Sequence, residues 1–162
     1  MRRHNWVLAL AMAAMLACTP ELTQREIFIE REQVQQRLEQ WTRVMNNGWV
    51  DSVLAMYHQV PNVRVHWMDG TRSSGWEDVR SAWESFYEST DYLNFVTQDV
   101  SIEILSPTVA LSTFGHSTDI VRRGKRLPVA SGPGTVLWMK DETDGLWKIH
   151  LSHIGASRPA QN

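Results

Sequence analysis

The chain has 162 residues, with 16 Lys and Arg against 18 Asp and Glu, 43% hydrophobic residues, 8 Trp and one Cys. That length holds one domain, and the apolar content suffices for a core without disulfides or metal, which excludes a disordered chain. The slight acidity excludes a nucleic-acid binder working by phosphate neutralisation, since such a protein presents a basic face.

Arg2, Arg3 and His4 precede an apolar run from Trp6 to Leu16, followed by Ala17 and Cys18. A basic start, a short apolar stretch and a small residue at the junction make an export signal. The run is well short of the roughly 20 residues that a membrane-spanning helix needs. Met15-Leu16-Ala17-Cys18 resembles the bacterial lipobox, with Met in place of the usual first Leu. The resemblance implies a signal peptide over 1–17, lipidation of Cys18, and residues 18–29 as tether and start of the first helix. The domain would then sit in the cell envelope facing the periplasm, held to a membrane by its acyl chains. Losing Arg2 and Arg3 from the 16 basic residues leaves 14 against 18 acids, a net charge of −4. No second Cys exists, so neither a disulfide framework nor a thiolate metal site is available.

From Glu21 to Asn46, Ile27, Val34, Leu38, Trp41 and Met45 recur at helical steps, and Asn46-Asn47-Gly48 ends the helix. Asp51 is placed to cap a second, shorter helix with Val53, Leu54 and Tyr57, closed by Pro61. Val63, Val65 and Trp67 alternate with Arg64, His66 and Met68 before Asp69-Gly70, which predicts a strand and a turn. Ser74-Gly75-Trp76-Glu77 has capping-box spacing, and Trp76, Val79, Trp83 and Phe86 predict a third helix to about Ser89.

The period then changes to two. Val96, Val100, Ile102 and Ile104 form one strand and Val109, Leu111 and Thr113 the next. Arg122-Arg123-Gly124-Lys125 makes a turn into a strand from Leu127 to Lys140, which Gly132-Pro133-Gly134 should interrupt with a bulge or bend. Asp144-Gly145 leads into a last strand from Leu146 to His153. This order predicts an α+β fold, with helices packed on one curved antiparallel sheet.

Three segments, Gly48-Trp49-Val50-Asp51, Gly75-Trp76-Glu77-Asp78-Val79-Arg80 and Asp144-Gly145-Leu146-Trp147-Lys148-Ile149 before His153, resemble the SnoaL-like division of the nuclear transport factor 2-like superfamily. The resemblance covers residues 30–157, leaving 158–162 as a tail, and Gly155 stands where the family pattern has a Ser. It implies a cone: three N-terminal helices against a strongly bent sheet, with an apolar-lined pocket open at one end. Members include polyketide cyclases, ketosteroid isomerase, scytalone dehydratase and association domains, and they are commonly dimers through the sheet. Their isomerase and cyclase chemistry uses a carboxylic acid or a His to move a proton beside a carbonyl, helped by a Tyr or acid that stabilises the enolate oxygen.

The candidates for such roles are His66, Tyr57, Asp99, His116, Asp119, His150 and His153. Period two puts His153 on the Trp147, Ile149 and Leu151 side, either as a base or as a histidine satisfied by its neighbours, and His150 on the other side. Asp99 falls with Phe95, Thr97 and Ser101 on the outward face, a poor setting for a carboxylate of raised pKa. His116 shares a face with Phe114 and Thr118, which reads equally as pocket wall or sheet surface. His66 and Arg64 read as rim residues.

Trp41, Tyr57, Trp67, Trp83, Phe86, Tyr87 and Trp138 come from the elements that would line a cone, and they serve either as ordinary core or as the wall for a flat apolar ligand. His spacing offers no metal site, and phosphate-cradle, dinucleotide and nucleophile-elbow motifs are missing, so no cofactor is expected. The reading that results is an exported lipoprotein that binds a small apolar or aromatic molecule. The alternatives are a cofactor-free isomerase, cyclase or dehydratase using His153 or His116 with Tyr57, and a dimeric envelope interaction module with a filled cone and an exposed apolar patch.

Overall fold

The computed structural model of the protein describes residues 22–156. The export signal over 1–17, Cys18 and the tail 158–162 lie outside the described residues. The first helix, α1 (Gln24–Asn46), starts later than Glu21 because Thr23 is its N-cap. The Thr23 hydroxyl accepts from the Glu26 N–H while the Glu26 carboxylate accepts from the Thr23 N–H, a reciprocal capping box. Val34, Leu38, Trp41, Val44 and Met45 form its buried stripe. Helix α2 (Val50–Leu54) is one turn long, with Trp49 rather than Asp51 at the N-cap.

Strand β1 (Arg64–His66) turns back into β2 (Arg72–Ser74), a three-residue strand whose Arg-Ser-Ser sequence carries no periodic signal. The capping box anticipated at Ser74 does not form. Gly75, at φ +89°, is the N-cap of α3 (Trp76–Glu88), and Asp78 accepts from the Ser74 N–H at 2.7 Å. An added Cβ at Gly75 would lie 3.2 Å from the Pro61 carbonyl oxygen, so both space and φ favour glycine.

The remaining strands are β3 (Thr90–Ser106), β4 (Val109–Arg122), β5 (Lys125–Arg126), β6 (Ala130–Lys140) and β7 (Trp147–Ile154). They make one sheet in the order β2-β1-β7-β6-β4-β3, with β5 on β4. The sheet is mixed, because β1 runs parallel to β7, which corrects the antiparallel expectation. No tight hairpin links these two strands, so nothing forces them antiparallel. Gly132-Pro133-Gly134 does not interrupt β6, which keeps register with β4 through Phe114↔Gly134 and His116↔Gly132. Gly134 answers a packing need instead: a Cβ there would sit 2.2 Å from the Phe114 ring.

Two bulges decide which side chains face the helices. In β3 the register slips between Gln98 and Ser101, with Asp99 at φ +52°. Before the slip Leu93 and Phe95 are buried and Val96 is exposed, and after it Val100, Ile102 and Ile104 pack on the core. In β7 the pairing steps from Trp138↔Ile149 to Leu137↔Leu151, leaving His150 as the extra residue. Trp147 and Ile149 point inward, but beyond the bulge the inward residue is Ser152 and His153 is exposed. This reverses the facing expected for His153, and for Phe95 and Val96, because a single inserted residue inverts a period-two pattern.

Candidate functional site

The helices and the concave side of the sheet enclose two joined cavities. The outer one is a cleft of about 520 Å³ between α3, the β1–β2 turn, the end of β4 and the segment leading into β6. Trp67, Phe86, Ile120, Leu127 and Ala130 give it apolar walls, Thr71, Ser85, Ser89 and Thr118 add hydroxyls, and among the described residues Arg122 and Asp69 are its only charged lining residues. Trp67 is held in place by its indole N–H, which donates to the Ser73 hydroxyl at 3.0 Å. The inner chamber, about 50 Å³, shares Trp67, Met68, Phe86 and Thr118 with the cleft and continues to Trp41, Trp83, Phe95 and Ser152. Its lining is almost wholly apolar.

Tyr57, expected from the sequence to be a pocket residue, lines neither cavity and is 1% exposed. The backbone around it pairs with β7: His58 N–H donates to Ile149 O at 2.9 Å, and Ile149 N–H to Met56 O at 2.8 Å. Its hydroxyl is 3.2 Å from that of Ser152, which the β7 bulge turns inward. Burial drives the Tyr57 phenol above its ordinary value, against the opposing pull of Ser152, Trp83 and Trp41. The group is therefore a protonated hydrogen-bond donor at neutral pH. The indole N–H groups of Trp41 and Trp83 are buried and have no hydrogen-bond partner among the described residues.

His116 is 1% exposed and uses both ring nitrogens. A carbonyl can only accept, so Nε2 donates to Gly155 O at 2.6 Å, and in the neutral ring Nδ1 accepts from the Thr118 hydroxyl at 3.0 Å. The ring stacks on Phe95 at 5.2 Å. Its one lone pair is thus occupied, and a proton from a ligand could reach it only through Thr118, which borders both cavities.

The other candidates scatter. Trp41, Trp67, Trp83 and Phe86 line the cavities. Trp138 does not: it is fully buried and donates to the Ser112 hydroxyl at 2.7 Å. Tyr87 donates its hydroxyl to Met45 O at 2.9 Å, tying α3 to α1. His153 lines neither cavity, and its ring lies 5.8 Å from that of His66, which borders the inner chamber. His150 is beside His58, at 5.9 Å. Asp99 is exposed, and Asp119 faces Arg126 at 3.6 Å. Among the described residues no group of three or more His, Cys, Asp or Glu could hold a metal ion.

Sequence reasoning missed Thr118 and Arg122 as site residues. The signal was available, since Phe114, His116, Thr118, Ile120 and Arg122 succeed one another at period two on β4. Arg122 was hidden by being read into the basic turn that follows it.

A family model described as the SnoaL-like domain matches residues 34–160. No curated protein matches the sequence. Among solved structures, a candidate dehydratase of the nuclear transport factor 2-like family from Streptomyces avermitilis is 18% identical, with a TM-score of 0.71 over 81% of this chain and 98% of that one. A candidate scytalone dehydratase from Novosphingobium aromaticivorans is 13% identical, with a TM-score of 0.70 over 84% and 89%. A ketosteroid isomerase-like protein from Erwinia carotovora atroseptica is 14% identical, with a TM-score of 0.67 over 80% and 98%. At these identities the likeness is one of fold.

Proposed function

The chain belongs to the SnoaL-like domain family, with a nuclear transport factor 2-like fold, and on that premise we propose that it is an exported lipoprotein binding a small apolar or aromatic molecule in its cavity. The observation that carries this reading is the 520 Å³ cleft, walled by Trp67, Phe86 and Leu127 and joined to an apolar inner chamber. A concave space of this size with aromatic and aliphatic side chains in its wall is the usual form of a small-molecule site. An interaction module with a closed, filled cone has no need of it. Export and lipidation rest on Met15-Leu16-Ala17-Cys18 and the apolar run before it.

Two measurements on the full-length gene product test the reading. Denaturing the purified protein and analysing the released small molecules by mass spectrometry should yield a stoichiometric apolar compound that quenches Trp fluorescence when added back. No released compound, together with no response to a panel of aromatic ligands, overturns the binding reading. Intact mass should show loss of residues 1–17 and added acyl chains, both abolished in Cys18→Ala. An unprocessed, unacylated chain in a bacterial host overturns the lipoprotein reading.

A cofactor-free isomerase or dehydratase is the second reading, favoured by the Thr118 hydroxyl that joins the cavity to His116. In it, Thr118 relays a substrate proton to His116 Nδ1, and Tyr57 acts on the developing oxyanion through Ser152, which lines the inner chamber. Thr118→Val, which keeps the shape and removes the relay, would then abolish turnover of any substrate found while leaving its binding in place.

A further inference from the structure

We propose that the outer cleft is a receptor for an apolar molecule that ends in a carboxylate, and that Arg122 is the residue that binds this end. The inference rests on the cavity reading above and names its ligand class.

Arg122 ends β4 on the inward face and, among the described residues, is the only basic one lining the cleft. Its guanidinium lies over the Phe86 ring, with Cζ 4.9 Å from the centroid. That contact sets the guanidinium against the ring, and the planar group recognises acceptors that lie in its own plane. Among the described residues Arg122 has no ion pair, and its buried Nε has no hydrogen-bond partner. A half-buried cation with a buried, unused donor is costly unless a ligand supplies the acceptor, because a desolvated polar group left unpaired loses its hydration without return.

Asp69, the one acid of the cleft among the described residues, lies near enough to feel the charge of Arg122 but makes no ion pair or hydrogen bond with it. Its Oδ1 accepts from the Thr71 N–H at 2.9 Å and from the Thr71 hydroxyl at 2.6 Å, holding it within the β1–β2 turn. Arg123 and Lys125 follow Arg122 in sequence and add positive charge at this end of the sheet, while Arg126 is paired with Asp119 and Asp91 accepts from the Gly124 N–H. A carboxylate matches the guanidinium fork with two parallel hydrogen bonds, whereas Trp67, Ile120 and Leu127 offer apolar contact to the body of the ligand, beside the hydroxyl-bearing wall of Ser85, Ser89 and Thr118. One charged end and an uncharged hydrocarbon body satisfy both.

The test is equilibrium dialysis of the full-length protein with 2-naphthoate and with 2-naphthamide, two ligands of one shape that differ in charge. Wild type should hold the acid about ten- to a hundredfold more tightly than the amide, the worth of charge-assisted hydrogen bonds. Arg122→Gln should bring that ratio close to one. Arg122→Lys, which keeps the charge without the fork, should keep part of it. Thermal melting confirms that each variant is folded, and Arg122→Lys, the milder change, tests the residue if Arg122→Gln is not. Equal binding of acid and amide by wild type, or a preference that survives in folded Arg122→Gln, overturns the role of Arg122 and leaves the cavity reading standing. Failure of wild type to bind either ligand overturns both.

Discussion

The Nε2 of His116 donates a 2.6 Å hydrogen bond to the carbonyl oxygen of Gly155, fastening the middle of β4 to the chain just beyond β7. With Nδ1 on Thr118 and the ring stacked on Phe95, this histidine is a structural tie between three strands' worth of backbone. His116→Ala should therefore cost about 3 kcal/mol, from the lost ring volume and from leaving Gly155 O and Thr118 without a partner. The urea midpoint of the variant reads this directly. A variant as stable as wild type would show that the buried ring is dispensable to the fold.

Tyr57 makes a separable contribution. Tyr57→Phe keeps the ring against Trp83 and removes only the hydroxyl that meets Ser152, so it should cost about 1 kcal/mol at neutral pH. The effect should change with alkali. Burial raises the folded-state pKa of Tyr57, so the unfolded chain ionises first. The stability this tyrosine contributes is complete below its unfolded value near pH 10 and is lost as pH rises beyond it. Above about pH 10, wild type should lose stability more steeply than Tyr57→Phe. Parallel slopes would mean that the phenol is solvated in the folded state.

The elements of this fold were legible because α1 and α3 carry strong helical periods and the β-rich second half carries turn signals at Asp69-Gly70 and Asp144-Gly145. The facings were not. Asp99 and His150 each insert one residue into a strand, and nothing in either local sequence distinguishes a bulge from regular pairing. Reading straight through them put His153 inside and Phe95 outside. On β4 the apolar series Val109 and Leu111 drew attention from the buried series Ala110, Ser112, Phe114 and His116, whose polar members are satisfied by partners on other strands or two residues along. Hydrophobicity marks a buried face only where burial is apolar. Thr118 was lost for the same reason, and Arg122 because it was read into the turn that follows.

The interlock of Gly134 with Phe114 offers a cleaner test of packing. A Cβ at position 134 would lie 2.2 Å from the Phe114 ring, and that ring is 4% exposed with Phe95 edge-on at 6.3 Å. Gly134→Ala should thus destabilise by about 1–3 kcal/mol through overpacking. In a Phe114→Leu background, where the aromatic edge is gone, the same substitution should cost much less. Additive losses in the double-mutant cycle would contradict the clash, since residues in contact couple.

Acid should act on the histidines of β1 and β7 before it acts on the carboxylates. Burial and then the charges of Arg72, His153 and Arg64 hold His66 below the ordinary imidazole range, and burial with His58 and Arg64 does the same for His150. A histidine with a lowered pKa binds its proton more weakly in the folded than in the unfolded state. Its neutral form is therefore favoured by folding, and stability falls as pH drops through the unfolded value near 6.5 and on to the folded one. Asp69 and Asp141 have lowered values through their hydrogen bonds to Thr71 and Thr143, so their contribution is lost only at lower pH, from about 4 downward. The urea midpoint of wild type should consequently decline in two stages on acidification. In the His66→Gln, His150→Gln double variant the first stage should shrink while the second persists. If the two proteins lose stability in parallel between about pH 7 and pH 5, the histidines carry no folding-linked proton and the acid response belongs to the carboxylates alone.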